Sequence, residues 1–153
     1  MVGECYDTKK NVSASVTLFE FVSTGPKGTI PKAAQFTYQF DDTYNFGFGD
    51  WDEKTQKIDD SKLSYNGDAE KVLHTLGNII RTFTVINWNV SIFVKGNTAV
   101  KHRWYQMNIN KHLEEIENYF FLWGQVGDQW HPYEKGKKYS AFLAIRQNGG
   151  FSF

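Results

Sequence analysis

The sequence predicts an α+β fold: a mixed, mostly antiparallel sheet with two or three helices packed on it. Three observations predict it. The first sixty residues alternate apolar and polar side chains at the strand period. Residues 69–83 switch to helical spacing. After residue 90, short apolar runs alternate with polar, helix-compatible stretches. Alternation in one block followed by strand–helix–strand order points to antiparallel hairpins leading into crossover connections.

Val12, Ala14, Val16 and Leu18 alternate with polar residues, and Phe19 and Phe21 continue in the opposite phase. That pattern predicts a strand with a bulge near Leu18. Gly25-Pro26-Lys27-Gly28 reads as a turn. Ala34, Phe36, Tyr38 and Phe40 mark a second strand, and Tyr44, Phe46 and Phe48 a third, with Gly47 and Gly49 on its other face. A hairpin tip at 52–57 leads to a short strand through Ile58 to Leu63. Asn66 or Asp68 is the expected N-cap of a helix carrying Ala69, Val72, Leu73, Leu76, Ile79, Ile80 and Phe83 on one face. Val90–Val94 reads as a strand buried on both faces. Gly96-Asn97-Thr98 opens a second helix, about 99–108, and Asn110 is the expected cap of a third containing Leu113 and Ile116. Strands follow at 119–123 and 139–146, separated by a turn at Gly127-Asp128, with Trp130–Tyr133 on a loop. No repeat or linker divides the chain, so the expectation is one domain over 1–153, with its ordered core at about 12–146 and a loose tail at 147–153.

Thirteen Phe, eight Tyr and five Trp imply a core built largely from rings. Seventeen basic and seventeen acidic side chains cancel, which disfavours a protein devoted to nucleic acid or to an anionic membrane surface. No stretch approaches the roughly 18 apolar residues of a membrane span, and the first residues lack a signal-peptide apolar run. The single cysteine, Cys5, fits a reducing compartment, so a cytoplasmic protein is expected.

Three segments, Tyr44–Asp50 (YNFGFGD), Asn66–Leu73 (NGDAEKVL) and Lys95–Thr98 (KGNT) with Arg103 and Tyr105 after it, resemble a bacterial family known as a domain of unknown function. The likeness runs from about Phe19 to Arg146. Where that family carries a small hydroxyl residue, usually Ser, this chain has Asn97. The resemblance implies a bacterial cytosolic protein and no particular activity.

The strongest candidate site is the strand-to-helix junction. Gly96, Asn97 and Thr98 would present free amides at a helix start, with Lys101 as a neighbouring cation, which suits phosphate, a nucleotide or RNA backbone. The expected function is therefore a binding or interaction module with an anion site at Gly96–Tyr105. The alternative is a metal-independent ribonuclease toxin of a toxin–antitoxin or phage-defence pair. There His102 would move the proton, Arg103 would meet the phosphorane charge and Tyr105 would position the phosphate. The partners left open are a protein (antitoxin-like or another copy) and a nucleotide or RNA. No cofactor is expected.

No metal site is expected. Asp50, Asp52, Asp59, Asp60 and Asp68 cluster in sequence, but Lys54 breaks the calcium-loop spacing, and the four histidines lack a metal-binding interval. Glu20 and Glu70 match two positions of a ribonuclease H-like carboxylate set, while Val90–Val94 supplies no third.

Overall fold

The computed structural model describes residues 3–59 and 64–147. The elements run β1 (Lys9–Val12), β2 (Val16–Gly25), β3 (Gly28–Phe40), β4 (Thr43–Asp52), β5 (Lys57–Asp59), α1 (Ala69–Ile86), β6 (Ser91–Val94), α2 (Ala99–Lys111), α3 (Leu113–Glu117), β7 (Phe120–Val126), β8 (Gln129–Pro132) and β9 (Phe142–Arg146). All the strands join one sheet in the order β1-β2-β3-β4-β6-β9-β7-β8, with β5 hairpinned onto β4. Every pairing is antiparallel except β4 with β6, which gives the expected α+β architecture. No helix is long and apolar enough to cross a membrane among the described residues.

Alternation decides which face is covered. Phe19, Phe21, Ala34, Phe36, Phe46, Phe48, Ile92, Leu122 and Phe142 share one face and form the core with Val72, Leu76, Ile79 and Phe83 of α1 and Tyr105 of α2. Phe83 stacks on Phe36 with centroids 3.9 Å apart, and Phe21 stacks on Phe48 at 6.2 Å. The opposite face has no covering layer among the described residues.

That single-sided burial corrects several local expectations. β2 pairs with β3 without interruption from Val16↔Thr37 to Gly25↔Gly28, so no bulge occurs at Leu18. The apparent phase change arises because β2 carries apolar residues on both faces. The register shift falls instead between Tyr38 and Phe40, where β3 meets β4. β6 is buried on one face: Ile92 is covered, while Phe93 on the open face is half-exposed. Trp130 lies in strand β8, edge-on to Phe93, rather than in a loop. Asp68 is the N-cap residue of α1 but makes no capping hydrogen bond; its carboxylate accepts instead from Tyr6 and Ser23. α3 starts after His112, and Asn110 accepts from the Tyr133 hydroxyl. The expected strand through Leu63 narrows to Lys57–Asp59, and its remainder lies outside the described residues, as does the tail beyond Gln147.

One feature of the sheet positions everything else. Along the same edge, β4 pairs with β6 over Thr43–Phe46 and with β5 over Asp50–Asp52. Between these stretches the backbone around Phe48 has a strand partner only on its other edge, in β3. Lys101 of α2 fills the gap: its side chain is 1% exposed, and its ammonium donates to the Phe48 carbonyl. A backbone acceptor buried without a partner is costly, and an ammonium is a strong substitute for the missing strand. Lys32 approaches the same ring from β3 and pairs with Asp50 at 2.8 Å, while Ser64 donates to that carboxylate.

Candidate functional site

The strand-to-helix junction is built as a packed corner. Thr98 caps α2, its hydroxyl accepting from the Lys101 amide at 3.1 Å. Gly96 lies so close to α2 that a Cβ there would strike the His102 backbone. The Gly96 amide donates to His102 Nδ1 at 3.1 Å, and His102 Nε2 donates to the Tyr139 carbonyl at 2.7 Å. A carbonyl only accepts and an amide N–H only donates, so this geometry requires the tautomer with its proton on Nε2. The ring also stacks on Phe142 at 5.0 Å. Both nitrogens of His102 therefore serve the fold.

The other members of the expected set point in different directions. Tyr105 is buried against Phe46, Lys101 is buried beneath Phe48, and Arg103 and Asn97 are exposed. Helical spacing explains this dispersal: neighbours at i, i+1 and i+2 occupy different faces of a helix. The structure brings together Gly96, Thr98, Lys101 and His102 as a structural corner, and leaves Arg103 apart from Tyr105. The aspartates likewise take separate roles. Asp50 pairs with Lys32, Asp52 accepts from the Lys54 and Thr55 amides in the hairpin turn, and Asp68 holds Tyr6 and Ser23. No three His, Cys, Asp or Glu side chains converge among the described residues.

A different region has the geometry of a binding site. Between α1, the α2–α3 arm and the sheet lies an apolar cavity of about 160 Å³. Its floor comprises Phe46, Ile92, Leu122 and Ala144. Ala144 sits in register between Ile92 and Leu122, so a small residue between two large ones makes the depression. Leu73, Gly77 and Ile80 form one wall and Trp104 and Ile109 the other. A glycine inside a helix costs about 1 kcal/mol relative to alanine, and Gly77 widens the cavity where it stands.

Four polar residues, Arg81, Asn108, His112 and Glu115, also line this otherwise apolar space. Arg81 Nε and His112 Nε2 are buried and have no hydrogen-bond partner among the described residues. The Arg81 guanidinium lies 4.4 Å from the Tyr119 ring centroid, which fixes it at the rim. Native proteins satisfy nearly all buried polar atoms, so two such nitrogens on one cavity need an explanation.

The sequence did contain a signal for this site. Leu73, Gly77 and Arg81 fall at i, i+4 and i+8, a stripe beside the apolar face of α1 that mixes a small residue with a charge. The contribution of Ala144 and His112 depends on tertiary packing and had no such signal.

No curated protein and no solved structure matches the chain. A family model described as a family of unknown function (DUF6934) matches residues 3–147, and the chain belongs to that family.

Proposed function

We propose that the protein binds a small, mostly apolar molecule bearing one hydrogen-bond-accepting head group, a carboxylate or a carbonyl, in the cavity between α1 and the α2–α3 arm. The observation that carries this reading is an apolar cavity whose lining includes Arg81 and His112, each with a buried side-chain nitrogen, Nε and Nε2, that has no hydrogen-bond partner among the described residues. Apolar pockets with a few convergent polar groups are the usual form of small-molecule sites. A cavity of about 150 Å³ accepts a molecule the size of benzene, which sets the scale of the apolar part. Glu115 on the same lining opposes a multiply charged head group, so carboxylate or carbonyl suits the site better than phosphate.

Titration with toluene, acetophenone and benzoate tests the proposal, read by melting temperature and tryptophan fluorescence. All three raise the melting temperature, and the two with acceptors bind more tightly than toluene. Arg81→Met cuts that preference about tenfold, as expected for one lost charge-assisted hydrogen bond, and leaves toluene binding in place. Ala144→Leu fills the floor and abolishes binding of all three. Absence of any shift, or undiminished binding to the Ala144→Leu variant, overturns the proposal.

An anion at the Gly96–Tyr105 junction has less support. Lys95 and Arg103 offer exposed charge there, but the Gly96 and Lys101 amides are already used within the corner. The toxin ribonuclease reading asks His102, Arg103 and Tyr105 to meet one phosphate. Expression without any antitoxin checks it: equal growth with wild type and Arg103→Ala counts against it.

A further inference from the structure

The face of the sheet away from the helices holds a second, separate depression of about 240 Å³, lined by Gln35, Thr37, Asn45, Gly47, Gln56 and Lys57, with Ile58 at its edge. It shares no residue with the cavity between the helices. Its origin is the split along β4. Where β6 stops and β5 begins, the hairpin supplies Gln56 and Lys57 on one side, β3 supplies Gln35 and Thr37 on the other, and Gly47 leaves the floor bare. A Cβ built at Gly47 meets nothing within 4 Å, so the space above it is open.

The chemistry of the lining is distinctive. Three carboxamides and a hydroxyl converge with one cation and no carboxylate. Gln35 Nε2 donates to Thr37 Oγ1 at 3.2 Å, which leaves the Gln35 carbonyl and the Thr37 O–H turned to other partners. Gln56 has φ 54, a left-handed conformation that a non-glycine residue adopts at a cost, and its Nε2 donates to the Glu53 carbonyl at 2.8 Å and to the Glu53 carboxylate at 2.9 Å, which leaves its side-chain carbonyl to accept. Asn45 lies beside Phe93 in register, on the same face, and Trp130 stands edge-on to Phe93 with centroids 6.2 Å apart. Two aromatic rings, set at 80° to each other, therefore flank a row of groups that can donate or accept.

We propose that this open-face depression binds a neutral polyhydroxylated ligand, an oligosaccharide, with the Trp130 ring against a sugar face, Phe93 beside it nearly at right angles, and Gln35, Thr37, Asn45 and Gln56 pairing with its hydroxyls. Carboxamides match hydroxyl groups, and a lining with one cation, Lys57, and no carboxylate suits an uncharged ligand better than a polyanion. A nucleic acid would need several cations for its phosphates, whereas this lining contains only Lys57.

The test is a titration of the full chain with cellotriose, maltotriose and chitotriose, with a uridine octamer in parallel, followed through backbone amide resonances and tryptophan fluorescence. At least one trisaccharide shifts the Asn45 and Gly47 amides saturably. Gly47→Val, which adds bulk into open space, weakens that binding at least tenfold with an unchanged melting temperature. Trp130→Ala weakens it without altering toluene uptake by the cavity. The idea is overturned if no trisaccharide produces a saturable shift, if Gly47→Val binds as wild type, or if the octamer alone moves these amides.

Discussion

The two halves of the sheet are packed to different standards. Around β2, β3 and β4, long strands set rings against α1. Phe36 stacks on Phe83 within 4 Å, and Tyr6, Phe21 and Phe48 form a further run. Around β6, β9 and β7, short strands meet the α2–α3 arm across a cavity of about 160 Å³. α1 carries a continuous apolar stripe, whereas α2 buries only Lys101 and Tyr105. The first half supplies the stability that allows the second to remain incompletely filled. Recesses of this kind are where proteins accommodate ligands, because a fully interdigitated core has no room for one.

Substitutions in each half sharpen this contrast. The largest effect is expected for Phe83→Ala, which removes a fully buried ring from the dense half. Chemical denaturation should show a loss of about 3–5 kcal/mol. Lys101→Met, at the seam between the halves, keeps most of the packing but leaves the Phe48 carbonyl without its donor. A loss of about 2–3 kcal/mol is expected, and a neutral result would mean that the ammonium is not needed to close the split in β4. Ala144→Leu, in the open half, should change stability by no more than about 1 kcal/mol in either direction, since the added bulk enters existing space. A large loss there would show the cavity to be smaller than described.

The smallest effect concerns a phenol at the edge of the open half. Burial pushes the Tyr133 hydroxyl up to about 12 from its ordinary 10.0. Its folded value lies above its unfolded one. The stability that the neutral phenol contributes is therefore complete below about pH 10 and is lost as pH rises through 12. Tyrosinate absorbance should show a late-titrating group in wild type that is missing in Tyr133→Phe, and that variant should lose stability less steeply over the same range.

Much of the fold was legible because it depends on local periodicity. The i, i+3, i+4 spacing from Ala69 to Phe83 specified α1, and alternation from Ala34 to Phe48 specified β3 and β4. The bulge expected at Leu18 was misplaced because a strand apolar on both faces resembles one that changes phase. The candidate site was less legible. Thr98 caps α2, and His102 and Lys101 turn inward, to Tyr139 and Phe48, residues more than thirty positions away.

By itself, the sequence determined the α+β class, the helix-facing residues and the positions of the turns, since these follow from the 3.6- and 2-residue periods of the backbone and from local glycine and proline geometry. Tertiary structure alone decided the insertion of β9 between β6 and β7, the gap along β4 and the cavity beneath α1. Each depends on pairing between residues far apart in the chain. Whether a polar atom is left over can be known only once all its prospective neighbours are in place.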